Sequence, residues 1–242
     1  FNFLTAPVGN FTASQVSGQS IDVAGVNFAG PSFPSLSARN YDNLPLYFIK
    51  LTNGDYVGLR LDIVDADGGR LTLSENLPNN LHAGVEFSIH KYRTLDGVFG
   101  KGGSGSGIFS NSKTSDTDLV FIVDSAGEFE KFYVFEIPPS FGGGKQWVKV
   151  GSPVATDAGS SRIYEDTVMI LRRGPTPRSS FDIFTSGRVE NSTARVPLFN
   201  GMNLVSYRFP VTTTLTASGL GDIGLESGTS LTAVDKVMTT KE

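Results

Sequence analysis

The sequence lacks cysteine entirely and has only two histidines in 242 residues. Without cysteine, neither a disulfide framework nor a thiolate-bound zinc or iron–sulfur site can form. With only His82 and His90, a cage of several histidines is excluded, and a Ser-His-Asp triad would have to use one of the two. No apolar run approaches the roughly 18 residues of a membrane-spanning helix. The fold must therefore be held together by packing.

Charge is also scarce, because charged residues make up 18% of the chain and the net charge is only -4. Proteins that bind nucleic acid neutralise phosphates with concentrated positive charge, so we expect no nucleic-acid partner. By contrast, 28 glycines and 12 prolines interrupt the chain more often than long helices tolerate. This composition favours strands and turns.

Segments rich in β-branched and aromatic residues recur between turn signals and predict antiparallel strands. They are Leu46 to Lys50, Tyr56 to Val64, Arg70 to Leu73, Val85 to Tyr92, Asp118 to Val123, Phe129 to Ile137, Gln146 to Val150 and Asp166 to Arg172. The turn residues Asp67, Gly68 and Gly69 separate the second segment from the third, which is a strong hairpin signal. We therefore predict an all-β fold of antiparallel β-sandwich or barrel-like modules with long Gly/Ser loops.

Two stretches interrupt this rhythm and predict long exposed loops, because both are rich in small and polar residues. They are Gly97 to Thr117 and Gly151 to Ser161. The first marks a boundary near residue 100, which divides the chain into an N-terminal β module (1–100), a second β module (101–196) and C-terminal strands (197–242).

The C-terminal strands repeat the order of residue types found at the start of the chain. Asn203 to Ser218 resembles Asn2 to Ser14 once small gaps are allowed. If this repeat is real, the last residues begin a module that they cannot complete, because one set of strands cannot bury its own face. Chance similarity among Thr- and Ser-rich strands is the alternative.

Several segments together resemble a family of uncharacterised secreted β-rich surface proteins of verrucomicrobial type. The similar segments are Phe11 to Gly25, Tyr56 to Leu73, Phe132 to Phe135 with Gln146 to Gly151, Thr167 to Arg173, and Asn203 to Tyr207. The resemblance implies a secreted protein of the cell surface and brings no enzymatic activity or cofactor with it. The chain differs from the family in lacking a segment before Phe1 and a continuation after Glu242. The start at Phe1, without methionine, favours a processed or trimmed form.

Three aspartates, Asp62, Asp65 and Asp67, lie near the predicted hairpin tip, where carboxylates beside glycine can bind calcium. The spacing of a calcium loop is incomplete and no glutamate lies at its far end, so we interpret them as a solvated turn and expect no metal. His90 follows the alternating residues Val85, Phe87 and Ile89. That alternation predicts a solvated position for His90 and a structural role.

Three stretches resemble enzyme signatures only in part. Gly219 to Gly224 matches a dinucleotide-binding fingerprint but has no helix after it. Ser110 and Lys113 have the spacing of some acyl-transfer enzymes, which requires a helix, whereas these two border a Gly/Ser loop. Gly142 to Lys145 lacks the length and the hydroxyl residue of a phosphate-binding loop. We therefore expect no catalytic site.

Four aromatic residues that lie close together in the sequence allow two interpretations. They are Phe129, Phe132, Tyr133 and Phe135. They could form a carbohydrate-binding platform, although a phenylalanine-rich set is more typical of packing between sheets. We favour the core.

These observations predict a non-enzymatic extracellular structural protein, a subunit of a surface filament or matrix assembled by strand complementation. Its partner would be itself, in a head-to-tail homopolymer, because terminal strands without neighbours are templates for pairing. A secreted carbohydrate- or surface-binding β module, with a cell-surface glycan as partner, is the alternative. The predicted subunit-interface residues are Phe1, Phe3, Leu4, Val8, Leu204, Val205, Tyr207, Phe209, Val211 and Val237.

Overall fold

A computed structural model describes residues 3–124, 128–164, 169–175 and 188–189, and within these ranges the protein is all-β. The chain divides into two units, Phe1–Arg208 and Phe209–Glu242, and the described residues all belong to the first. The strands are β1 (Phe3–Leu4), β2 (Gly9–Thr12), β3 (Gln15–Ser17), β4 (Ser20–Asp22), β5 (Tyr47–Leu51), β6 (Arg60–Asp67), β7 (Arg70–Leu73), β8 (Glu86–Lys91), β9 (Arg93–Thr94), β10 (Leu119–Val123), β11 (Phe129–Glu136), β12 (Lys145–Lys149), β13 (Arg162–Ile163), β14 (Ile170–Arg172) and β15 (Arg188–Val189).

Helical structure among the described residues is limited to short pieces. The α-helix α1 covers Leu95–Phe99, and 3-10 turns cover Lys101–Gly103, Thr114–Asp116 and Pro139–Phe141. No helix in this part of the chain has the length and apolar character needed to cross a membrane.

The largest sheet has seven antiparallel strands in the order β2-β8-β5-β6-β7-β4-β3 and curls into a half-barrel. Its two edge strands, β2 and β3, are consecutive in the chain, with only Ala13 and Ser14 between them. The Ala13 amide donates to the Val85 carbonyl beside β8, and the Ser14 amide donates to the Asp22 carbonyl of β4. One bent segment therefore joins both edges of the sheet.

The concave side of the half-barrel holds the first apolar core. Its fully buried members include Ile21, Ile49, Leu51, Ile63, Leu71, Leu73, Phe87 and Ile89. These residues come from alternating positions of β4 to β8, since successive side chains of a strand point to opposite faces. Gly68, at φ 52°, supplies the left-handed conformation that the turn between β6 and β7 requires.

The alternation along β6 changes partway, because the register against β7 shifts between Ile63 and Asp65. Before this β-bulge, Ile63 faces the first core. After it, Ala66 packs against the same core. An extra residue in one strand of a pair reverses which positions face inward. Asp62, Asp65 and Asp67 consequently all lie on the convex side.

A four-stranded antiparallel sheet, in the order β12-β11-β10-β14, forms the second part of the fold. One of its faces packs on the second apolar core, which contains Phe99 of α1, Phe132 of β11 and Trp147 of β12. The Phe99 and Trp147 ring centroids are 5.4 Å apart. The opposite face carries a separate cluster that includes Tyr133, Val148 and Leu119.

The prediction that Gly97 to Thr117 is a long exposed loop was correct only in part, because residues 104–113 lack helix and strand but the segment also contains helical turns and buried residues. Part of α1 and two 3-10 turns lie in this range, and Phe99, Gly102 and Gly103 are buried. Gly102 has φ 56°, and a Cβ built on it would lie 2.3 Å from the Lys145 carbonyl oxygen. Glycine is used here for close backbone packing against β12, which its composition alone does not distinguish from flexibility.

The second predicted loop was correct over Gly151 to Asp157, which are exposed or half-buried. Ala158, Gly159 and Ser161 are buried, however, so this segment returns to the second core before β13 begins.

Candidate functional site

Strands β5 and β8 are buried on both faces, and the convex side of the half-barrel carries a network of polar and aromatic side chains. Asp62 of β6 stands at its centre. Its Oδ1 accepts a 2.6 Å hydrogen bond from the Tyr92 hydroxyl, and its Oδ2 accepts a 2.7 Å hydrogen bond from Nη1 of Arg162 in β13. The same Nη1 donates to the Pro45 carbonyl at 2.9 Å, and Nη2 donates to the Tyr164 hydroxyl.

Arg162 contacts two aromatic rings. Its Cζ is 4.5 Å from the ring centre of Tyr92 and 4.9 Å from that of Tyr164. Such cation–π contacts compensate a buried guanidinium for lost hydration. Burial disfavours the charged form of Arg162, but Asp62 and the two tyrosines outweigh it and keep the pKa above its usual value. Burial and the neighbouring Asp62 raise the pKa of Tyr92 well above its usual value.

A cavity of about 180 Å³ lies beside this network. Its acidic lining consists of Asp42, Asp124 and Glu130. The other lining residues are Asn40, Leu44, Ser161, Arg162 and Tyr164. The cavity is thus built from the loop before β5, the facing ends of β10 and β11, and strand β13. Asn40, Ser161 and Arg162 are buried, whereas Asp42 is exposed.

The charge around the cavity is predominantly negative. Lys149 of β12 forms an ion pair with Glu130. Burial alone would lower the pKa of Lys149, but Glu130, Asp42 and Asp124 together raise it above its usual value. Burial also raises the pKa of the Tyr41 phenol, and the Asp42 carboxylate raises it further. Asp42 and Glu130 therefore lie close enough to both Lys149 and Tyr41 to affect the pKa of each.

Two buried polar atoms at this cavity have no hydrogen-bond partner among the described residues. They are the Ser161 hydroxyl oxygen and Nε of Arg162. Ser161 is 1% exposed and Arg162 is 5% exposed. The Ser161 hydroxyl lies near the phenol of Tyr41, but the two groups do not meet hydrogen-bonding geometry. Buried polar atoms are normally paired, so both are unusual.

The prediction that His90 is solvated was wrong, because His90 is 5% exposed. Its ring stacks on Phe48 at 5.4 Å, and its Nδ1 lies 3.0 Å from the Thr5 carbonyl oxygen. A carbonyl only accepts, so Nδ1 carries a hydrogen, and Nε2 lies within hydrogen-bonding distance, 2.8 Å, of the Ser88 hydroxyl oxygen. The convex face of β8 is covered by protein, and a polar residue there is consequently buried.

Ser88 and His90 have the hydrogen bond of a nucleophile–base pair, with a backbone carbonyl as the group that orients the imidazole. Ser88 is also buried, at 4% exposure, and a substrate could reach its hydroxyl only if the covering residues moved. In this structure, the pair fastens Thr5 to the convex face of β8. The other histidine, His82, is exposed.

The three aspartates of β6 do not act as one solvated turn. Asp65 and Asp67 are exposed, as expected, but Asp62 is partly buried in the ion pair with Arg162. Within the described ranges, no group of three or more histidine, aspartate or glutamate residues has an arrangement that could hold a metal ion.

The four aromatic residues of β11 do not form one platform. Phe132 packs in the second core, whereas Tyr133 and Phe135 belong to the cluster on the opposite face of the sheet. Phe129 is partly exposed. The core interpretation is correct for Phe132 and Tyr133, which are both buried.

The remaining motifs lie in irregular structure or outside the described residues. Ser110 is buried and Lys113 is exposed, and neither belongs to a helix. The glycines at 142–144 follow a 3-10 turn and lead into β12. Gly219 to Gly224 lie outside the described residues.

Three of the predicted interface residues fall in the described part of the chain. Phe3 and Leu4 form β1, which pairs with Val189 and Arg188 of the same chain, and Val8 packs against the first core. The predicted residues Phe1, Leu204, Val205, Tyr207, Phe209, Val211 and Val237 lie outside the described residues.

Sequence reasoning did not identify the cavity. Asp42, Asp124, Glu130 and Ser161 belong to separate segments, and none of them forms part of a recognisable motif. The only local signal is the short polar and aromatic run Ser161 to Tyr164 next to a glycine-rich segment. Comparison with known proteins found no matching family model, no matching curated protein and no matching solved structure.

Proposed function

We propose that the protein is a non-enzymatic extracellular structural protein, a subunit of a surface filament or matrix assembled by exchange of terminal strands between copies. One observation carries the proposal. Strand β1 (Phe3–Leu4) forms a two-stranded sheet with β15 (Arg188–Val189), separate from both larger sheets. A strand that pairs with a distant segment of its own chain can be supplied in the same register by another copy.

The linkage of β1 to the half-barrel sets the conditions for exchange. Thr5 is anchored, because its hydroxyl donates to the Lys91 carbonyl at 2.7 Å and its carbonyl accepts from His90. Exchange replaces the β1–β15 pair within one chain by the same pair between two copies, so it gains little enthalpy. The strand of another copy must also compete with the chain's own β1, whose tether gives it an effective concentration of about 1 mM. We therefore expect assembly where subunits are concentrated or add to an existing end, and a contact that does not close propagates a fibre.

The edges of the four-stranded sheet provide a second support. Strand β14 pairs with β10 on one side and has no second neighbour among the described strands, and its Ile170 is 42% exposed. The opposite edge, β12, carries Lys145 and Lys149, and its Trp147 carbonyl accepts from the Ala158 amide. Charge and a covering segment protect a sheet edge from pairing with another chain. Strand β14 carries one charged residue, Arg172, and pairs with β10 alone among the described strands.

Paired cysteines test the exchange directly, because the natural chain contains none. Phe3 and Val189 are register partners, so the double variant Phe3→Cys/Val189→Cys reports where β1 is bound. After oxidation at high protein concentration, we expect a ladder of disulfide-linked oligomers on a non-reducing gel. Electron microscopy of the wild type should show filaments, and deletion of residues 1–4 should abolish them.

A matched control uses Ser17→Cys/Ser20→Cys, since these partners lie in the β3–β4 hairpin and should remain intramolecular. The proposal fails if the Phe3/Val189 variant gives only monomers at every concentration and the wild type sediments as a single monomeric species. In that case, a secreted carbohydrate- or surface-binding β module becomes the better proposal.

A further inference from the structure

The outer face of the four-stranded sheet, which is turned away from the second core, exposes a row of large apolar side chains. Phe129, Val150 and Ile170 are 39%, 39% and 42% exposed. Ile170 pairs with the half-buried Phe121, which in turn pairs with Lys131. The Val150 amide donates to the Lys131 carbonyl, so the row crosses the whole sheet. Contiguous exposed apolar side chains mark sites of interaction with other molecules.

The charged side chains that the described strands place on the outer face are all cationic. Lys131 and Arg172 are exposed there, because successive side chains of a strand point to opposite faces. Glu130 and Glu136 take the alternate positions of β11 and therefore lie on the other face. Neither Lys131 nor Arg172 forms an ion pair with a described residue. The outer face therefore fits a partner that presents negative charge.

The hairpin of β6 and β7 exposes the opposite charge. Asp65 and Asp67 lie two residues apart on the convex side of the half-barrel, and neither forms an ion pair with a described residue. Of the two arginines beside this hairpin, Arg70 is paired with Asp22, and Arg39 donates to backbone carbonyls. Because the net charge of the chain is -4, copies repel one another unless a cationic surface meets an acidic one.

We propose that the outer face of the four-stranded sheet binds the β6–β7 hairpin of a second copy, with Lys131 and Arg172 of one copy beside Asp65 and Asp67 of the next. The inference rests on the proposed function, because it supplies a second contact in the same filament. The two surfaces differ, so the contact is heterologous and can repeat from copy to copy. A second copy is favoured over an anionic membrane because every copy carries the complementary hairpin.

Reversal of charge tests this contact in the full-length protein. The face variant is Lys131→Glu/Arg172→Glu, and the hairpin variant is Asp65→Lys/Asp67→Lys. Each variant alone brings like charges together, so we expect the concentration needed for assembly to rise at least about tenfold. An equimolar mixture restores opposite charges at every contact and should assemble within about threefold of the wild-type concentration. Sedimentation velocity and electron microscopy measure assembly.

A matched control separates this contact from the effect of net charge. Lys101→Glu/Lys113→Glu makes the same change of net charge at two exposed lysines outside the four strands and should assemble like the wild type. The residues changed in the face and hairpin variants are all exposed, so both variants should fold, and Lys131→Glu with Asp65→Lys replaces any double variant that does not. Unchanged assembly of the face variant, or a mixture that assembles no better than its components, would overturn the proposal.

The disulfide ladder of Phe3→Cys/Val189→Cys measures strand exchange separately. A ladder, together with charge variants that assemble like the wild type, ends this proposal and leaves strand exchange intact. Assembly that is lost in each charge variant and restored on mixing, without a ladder, supports this contact and ends strand exchange. A wild type that stays monomeric at every concentration ends both. If that monomer sediments with vesicles of phosphatidylcholine and phosphatidylserine and the face variant does not, the outer face binds membranes instead.

Discussion

Nη1 of Arg162 lies 2.7 Å from Oδ2 of Asp62, although the two residues are 100 positions apart in the sequence. Asp62 stands on the convex face of the half-barrel, and Arg162 begins the short strand β13, whose next residue, Ile163, belongs to the second core. The Arg162 side chain is 3% exposed, so solvent screens this ion pair weakly. It connects strands that pack on different apolar cores.

Replacing Arg162 by methionine should destabilise the protein substantially. The substitution keeps much of the side-chain volume but leaves Asp62 without its cationic partner, and breaking a buried ion pair from one side costs about 3–5 kcal/mol. Because the Asp62 side chain is 20% exposed, we expect a loss near the lower end. The free energy of unfolding is measured by urea denaturation followed by circular dichroism.

The Arg70–Asp22 ion pair is the matched control, because its N–O distance is also 2.7 Å but the Arg70 side chain is 58% exposed. Solvent screens an exposed pair, so Arg70→Met should have a much smaller effect than Arg162→Met. Similar losses in Arg162→Met and Arg70→Met would contradict the structural role assigned to the Asp62 pair.

Two aspartates should change the pH dependence of stability in opposite directions. Burial, with the charge of Asp157, raises the pKa of Asp96, whereas the hydrogen bond from Arg70 lowers the pKa of Asp22. The stabilising contribution of protonated Asp96 is present below the unfolded pKa of about 3.9 and is lost as pH rises through the folded value. The contribution of ionised Asp22 is present above about 3.9 and is lost as pH falls through its folded value.

Asp96→Asn should therefore raise the melting temperature at neutral pH by about 1–3 °C, and its Oδ1 can still accept from the Gly102 amide. The gain should vanish below about pH 3.9, where Asp96 is protonated in both states. Asp22→Asn should instead lower the melting temperature slightly at neutral pH and lose that effect in acid. Melting curves across this pH range test both signs, and a gain for Asp96→Asn that persists in acid would contradict burial of charge as its cause.

Two glycines with similar backbone conformations should respond differently to alanine. Gly102 has φ 56° and Gly68 has φ 52°, so the strain of placing alanine in the left-handed region is alike, about 1–2 kcal/mol. A Cβ at Gly68 meets nothing within 4 Å, whereas one at Gly102 would collide with the Lys145 backbone. We expect Gly102→Ala to lose at least about 1 kcal/mol more than Gly68→Ala in urea unfolding, an overpacking cost. Equal losses would mean that the Gly100-to-Gly107 segment is not packed against β12.

The strands were predictable where only one face of the sheet is buried, because apolar and polar residues then alternate along the strand. Strand β7 has the predicted bounds, Arg70–Leu73, and the Asp67-Gly68-Gly69 signal does produce a hairpin. The alternation of apolar and polar residues predicted a solvated His90 wrongly. Both faces of β8 are covered, and polar residues on the second face are buried and hydrogen-bond to one another. Alternation also cannot reveal a bulge such as the one after Ile63, since one extra residue leaves the composition unchanged.

The cavity could not be predicted for a different reason. Its charge comes from Asp42, Asp124 and Glu130, which are unremarkable acidic residues in three sequence neighbourhoods and acquire a common environment only after the strands pair. The Ser161 hydroxyl has no hydrogen-bond partner among the described residues, and this too could not be predicted. It depends on which groups surround the hydroxyl in the folded protein and not on the neighbouring residues in the sequence.

Trp147 provides a test of whether the two cores unfold together. It is the sole tryptophan, is fully buried and belongs to the second core, so its fluorescence reports that core, whereas circular dichroism reports all strands. If the Asp62–Arg162 pair couples the cores, the two probes should give coincident urea midpoints in the wild type, as expected of a cooperative transition. In Arg162→Met, the fluorescence midpoint should separate from the circular dichroism midpoint, because the cores then unfold as distinct units. Arg70→Met should keep the midpoints coincident, and coincidence in Arg162→Met as well would show that contacts other than this ion pair join the cores.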